Sequence, residues 1–131
     1  VEIKMNVARQ RPPPLEVVLV HGAGGGSWEW VLWERELAAA GMRPRPIELM
    51  PVQQGYEKTE FSDYVDQVVA HSLSRDLAGP ANGGEADTGG DLSVSGLGEG
   101  GGGVVLVGAS MGGMLVLKAA HRIQMSNTQR V

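Results

Sequence analysis

The stretch of this chain best suited to covalent chemistry is Gly108-Ala109-Ser110-Met111-Gly112, a serine with a glycine two residues away on either side. Val104–Val107 precedes it as a short β-branched run, and Met114, Leu115, Leu117 and Ile123 follow at helical spacing. A serine on a sharp turn from strand to helix holds its hydroxyl out above the sheet. Glycines are needed beside it, where a side chain would meet backbone. The same turn aims the Met111 N–H, at the start of the helix, towards negative charge developing on an attacked carbonyl oxygen. The bland alternative is a serine capping an ordinary strand-to-helix turn. A strand directly before and a helix directly after favour the nucleophile.

A second glycine cluster, His21-Gly22-Ala23-Gly24-Gly25-Gly26-Ser27, closes Leu15–Val20, a short β-branched run without alternation, which suits a strand covered on both faces. Ser27 is the expected N-cap of a helix over Trp28–Ala40, with Glu29 in its first turn and Gly41 as its left-handed stop. Pro44 and Pro46 bracket the next element, and Ile47–Met50 reads as a strand ended by Pro51. Phe61, Tyr64, Val65, Val68, Val69 and Leu73 recur as one helical face. Val1–Val7 alternates with period two, as an edge strand does. Strands alternating with helices predict an α/β fold built on a mostly parallel sheet.

The 131 residues have room for one domain. A net charge of −4 without a basic run argues against nucleic acid or an anionic membrane as partner. No apolar stretch approaches the ~20 residues of a membrane span, and no secretory pattern opens the chain. A soluble, intracellular protein is the expectation. Without cysteine there is neither a disulfide nor a thiolate metal site. Eleven glycines and four acidic residues fill Gly79–Gly103, whose composition is that of a disordered insertion.

Both glycine motifs, each at a strand end, resemble the α/β-hydrolase superfamily from Leu15 to the C-terminus. Val18-Leu19-Val20-His21-Gly22 with Ser27-Trp28 is similar to that family's third strand and oxyanion loop, and Gly108–Gly113 to its nucleophile elbow. The resemblance implies a serine hydrolase of carboxylic esters or related acyl substrates, with no metal or organic cofactor. It implies Ser110 as nucleophile and the backbone N–H groups of Ala23 and Met111 as oxyanion donors. His21, Gly22, Gly108 and Gly112 would set the geometry, His21 anchoring its loop through hydrogen bonds and not moving protons. A small acyl substrate is the implied partner.

In that family the acid and histidine of the triad follow the nucleophile. After Ser110 this chain has no Asp or Glu, and His121 stands eleven residues along the same helix, roughly 16 Å away. His71 lies on the preceding helix. The expectation is a partial hydrolase domain, truncated after the elbow helix and inactive alone, with Ser126–Arg130 leading towards a next strand. The exposed edge of Val104–Val107 would then favour self-association.

Two other readings compete. A hydrolase scaffold without catalysis would bind a small molecule or a partner. A Rossmann-type nucleotide unit would use the glycine turn, with Glu48 on the ribose, although Ser27 occupies the third glycine's place. Trp28, Trp30 and Trp33 read as mainly core residues with Trp28 walling the pocket, and Met111, Met114 and Met125 as core filling.

Overall fold

The computed structural model describes residues 11–74 and 103–129. The expected strand Val1–Val7, the expected Gly79–Gly103 insertion apart from Gly103, and the strand start expected at Val131 lie outside them. Three parallel strands form the sheet: β1 (Glu16–Val20), β2 (Arg43–Ile47) and β3 (Val104–Gly108), in the order β2-β1-β3. Each is followed by a helix: α1 (Val31–Ala39), α2 (Phe61–Leu73) and α3 (Met111–Thr128). The fold is therefore α/β, as the alternation of patterns predicts.

All five residues of the central strand β1 are buried, because helices cover both of its faces. Val18 and Val20 pack with Val65 and Val68 of α2 and Leu115 and Ala119 of α3. Val17 and Leu19 face the other way, onto Trp30 and Leu37. The strand's period of two thus divides the core into two layers, which its unbroken apolar run foretells.

Strand β2 corrects the expected Ile47–Met50. It starts four residues earlier and contains Pro44 and Pro46 instead of being bracketed by them. The Arg43 N–H donates to Leu15 O, so the odd-numbered residues of β2 direct their N–H groups at β1. Among the described residues β2 pairs with β1 alone, and the two prolines fall on the side turned away from β1, where that pairing requires no donor. Arg45 is buried and reaches Glu16 at 3.2 Å, and its other nitrogen donates to His71 O and Ser74 O at the end of α2. One guanidinium therefore joins the start of the sheet to the last turn of a helix.

Gly26, in extended conformation, is the cap where Ser27 was expected, and Ser27 opens a 3-10 turn to Trp30 ahead of α1. The helix stops as predicted, with Gly41 at φ 81°. Only Trp30 of the three tryptophans is buried; Trp28, in the 3-10 turn, and Trp33, in α1, are exposed, against the expectation that all three mainly fill the core. Trp30 and Trp33 still meet edge to face at 5.5 Å.

Helix α2 matches its predicted span and is stopped at its start by a capping box between Glu60 and Asp63. Helix α3 runs on through Ser126 to Thr128, where a connection was expected. Its buried stripe is Gly112, Leu115 and Ala119, while Met114, Leu117 and Met125 are exposed. Met111 alone of the expected methionines packs on the core. Strand β3 is only partly buried, because among the described residues it pairs with β1 alone.

Candidate active site

Ser110 links β3 to α3 with φ 54° and ψ −121°, the single positive φ among the described non-glycine residues. A side chain held there costs about 1–3 kcal/mol, so the surroundings must impose it. They do so through glycine. A Cβ on Gly108 would stand 2.6 Å from Gly113 N and closer still to the Gly112 carbonyl. A Cβ on Gly112 would stand 2.6 Å from His21 O and closer still to Val20 O. The first turn of α3 therefore rests directly on the C-terminal end of β1, and that approach leaves Ser110 no room for ordinary backbone angles. The serine ends up exposed above the sheet.

The same packing unites two motifs far apart in sequence. A Cβ on Gly22 would lie 3.2 Å from Ser110 Cβ and 3.8 Å from Ser110 Oγ. The glycine loop therefore passes beside the serine hydroxyl, with Ala23 the next residue along. Gly25 N–H closes a turn onto Gly22 O, and Gly24 takes φ 73°. The amides after Met111 are used, Gly112 N–H by Ala109 O and Gly113 N–H by Ser110 O. No group among the described residues accepts from the Ala23 or Met111 N–H.

His21 is buried and committed on both ring nitrogens. Leu49 N–H donates to Nε2 at 3.0 Å, and Nδ1 lies 2.8 Å from Gly22 O. A backbone N–H can only donate and a carbonyl can only accept, so Nε2 is the acceptor and Nδ1–H the donor in these two bonds. It anchors the loop to the exit of β2. His71 lies on α2 and His121 is exposed, well along α3. None of the three histidines contacts the Ser110 hydroxyl.

Sequence reasoning missed the part played by Glu48. Its carboxylate accepts from Ser27 N–H at 2.8 Å, so the group suggested for a ribose instead holds the end of the glycine loop. Ile47 and Leu49 are buried and Glu48 is exposed between them, an alternation already visible in the sequence. Hydrogen bonding by the Ser27 side chain first, and by its backbone N–H second, keeps the carboxyl below the ordinary glutamate range. The Trp28 ring lies over Gly26, where a Cβ would be 2.7 Å from it. A separate cleft of about 370 Å³ sits on the α1 side, between Glu29, Trp30 and Trp33 and residues Val107–Ala109. Ser110 does not line it.

A parallel α/β sheet with a strained serine between strand and helix, beside a glycine loop from the neighbouring strand, defines the class. The sequence pattern of the α/β hydrolase family matches residues 17–128, and the chain belongs to that family. No curated protein and no solved structure matches it. Among the described residues no helix is long and apolar enough to cross a membrane.

Proposed function

We propose that Ser110 is the nucleophile of an acyl hydrolase, with carboxylic esters or related acyl compounds as substrates. The observation that carries this is the positive φ of Ser110 beside Gly22. A strained serine facing a glycine loop has no structural benefit that a glycine would not supply more cheaply. In this reading Ser110 Oγ attacks the acyl carbon, and the N–H groups of Ala23 and Met111 receive the oxygen as it becomes negative. His21 shapes the loop and Trp28 walls the acyl side.

A base must take the serine proton, and a carboxylate must orient that base. His21 is occupied, and His71 and His121 are remote from the elbow. We infer that these 131 residues alone bind and position an acyl group but turn it over slowly. Fluorophosphonate labelling tests the nucleophile: the adduct should map to Ser110 and vanish in Ser110→Ala. An adduct unchanged by that substitution would remove Ser110 from the mechanism. Adding a p-nitrophenyl ester should give little turnover.

The commitment of His21 also favours a second reading, a hydrolase scaffold that binds without catalysis. Ester binding without any adduct at Ser110 would select it. In either reading the side of β3 that is unpaired among the described residues is proposed to pair with another copy. Sedimentation coefficients rising with concentration are then expected, and a concentration-independent monomer would exclude such pairing.

A further inference from the structure

We propose that Glu48 is a positioning residue, a carboxylate latch that fixes the far end of the oxyanion loop from the exit of β2. The inference rests on the reading of Gly22–Gly26 as an oxyanion loop. Two consecutive residues tie that loop at its two ends. Leu49 N–H holds His21 at the beginning, and the Glu48 carboxylate holds Ser27 N–H at the end. Between the ties lie five residues, four of them glycine, which have the greatest conformational freedom to lose. A loop of this composition cannot keep the Ala23 N–H aimed at one point unless both ends are fixed.

A residue at position 48 meets the requirement at the far end. The buried side chains of Ile47 and Leu49 set the strand exit rigidly, and their alternation turns residue 48 outward over the loop. The second carboxylate oxygen lies 3.1 Å from where a Cβ on Gly26 would stand, so the latch also relies on glycine there. Gly26 N-caps the following 3-10 turn in extended conformation without a side-chain bond of its own. The orphan donor of that turn is satisfied by Glu48, twenty-one residues away in the chain. His21 is the titratable group that faces this carboxylate.

The test is amide hydrogen exchange and amide NMR on the full chain, comparing wild type with Glu48→Ala and Glu48→Gln. In Glu48→Ala, exchange at Ala23–Ser27 should rise about tenfold or more, as expected for losing a bond to a charged acceptor. Amides of α2 and α3 should stay unchanged, which certifies the fold. Glu48→Gln keeps an acceptor oxygen and should restore most of the protection. In wild type the Ser27 amide shift should titrate on the acid side of the ordinary glutamate range, and in Glu48→Gln it should not. A pH-insensitive Ser27 amide in wild type, or unchanged loop exchange in Glu48→Ala, would overturn the latch. An intact latch with no fluorophosphonate adduct at Ser110 would instead sink the hydrolase reading and leave the latch standing as a loop tie.

Discussion

Leu49 N–H points at His21 Nε2 across 3.0 Å, and this bond fixes what the histidine can do. With Nε2 accepting and Nδ1 donating to Gly22 O, the ring has no nitrogen left for a serine hydroxyl. A histidine so near the proposed nucleophile Ser110 invites a catalytic role, and its two hydrogen bonds favour a structural one.

His21→Ala leaves the buried Leu49 N–H without its acceptor, while Gly22 O keeps the Gly25 N–H, and the expected cost is about 1–3 kcal/mol. Urea denaturation should show that loss. Nitrogen NMR of the imidazole in wild type should show the proton on Nδ1 near neutral pH. A proton found on Nε2 would contradict the bond to Leu49 and return His21 to the list of bases.

Gly112→Ala drives a methyl group to 2.6 Å from His21 O and closer to Val20 O. Both obstacles are backbone at the end of the buried central strand, so neither can swing aside. The elbow must separate from β1, and the expected loss is about 3 kcal/mol or more. Gly24→Ala meets no atom within 4 Å, yet φ 73° makes it strained as well, by about 1 kcal/mol. Thermal unfolding of the two variants separates overpacking from backbone strain, with Gly112→Ala expected far lower in Tm.

The two glycine motifs and the order of strands and helices were legible because each depends on short-range chemistry. The unalternating run Val17–Val20, the helical spacing of Phe61–Leu73 and the left-handed stop at Gly41 are local patterns. What the sequence hid is tertiary. Pro44 and Pro46 argue against a strand until β2 is known to pair with β1 through its odd-numbered N–H groups. Ser27 looks like a cap, and it became the residue being capped, because Glu48 arrives from a different strand. Met114 and Leu117 fit a helical face, yet Leu115 and Ala119 define the one that is buried. Helix rotation is set by where Gly112 can touch β1, which no spacing rule contains.

Arg45→Ala should be among the most damaging substitutions remote from the elbow. The guanidinium is buried, pairs with Glu16 and satisfies two carbonyls at the end of α2. Glu16 keeps Arg43 at 3.1 Å, so its charge is not wholly abandoned. The loss expected is about 3 kcal/mol, from the range for breaking a buried pair. Arg45→Lys should recover only part of it, because a single ammonium cannot span Glu16 and both carbonyls. Urea midpoints for the three proteins check the order.

The Glu48 carboxyl, held low by Ser27, gives a pH dependence of known sign. A folded pKa below the unfolded value, near ~4.3, adds stability above the unfolded value and loses it as pH falls through the folded one. The advantage of wild type over Glu48→Gln should therefore be level at neutral pH and shrink under acid conditions. Urea midpoints of both proteins at a series of pH values measure it. A gap that widened on acidification would mean that the carboxyl is raised and not lowered.

Ser110→Gly separates the fold's interest from the chemistry's. Glycine adopts φ 54° without a Cβ to crowd, so the substitution should relieve strain and raise stability by about 1 kcal/mol. Ser110→Ala keeps the Cβ, and with it the strain, and should unfold close to wild type. Both variants lose the hydroxyl and should lose any fluorophosphonate adduct. The diagnostic pattern is a glycine variant more stable than wild type and unreactive, beside an alanine variant equally unreactive but no more stable. A destabilised glycine variant would mean that the serine side chain holds the elbow together, and the strain would then be no evidence for a nucleophile.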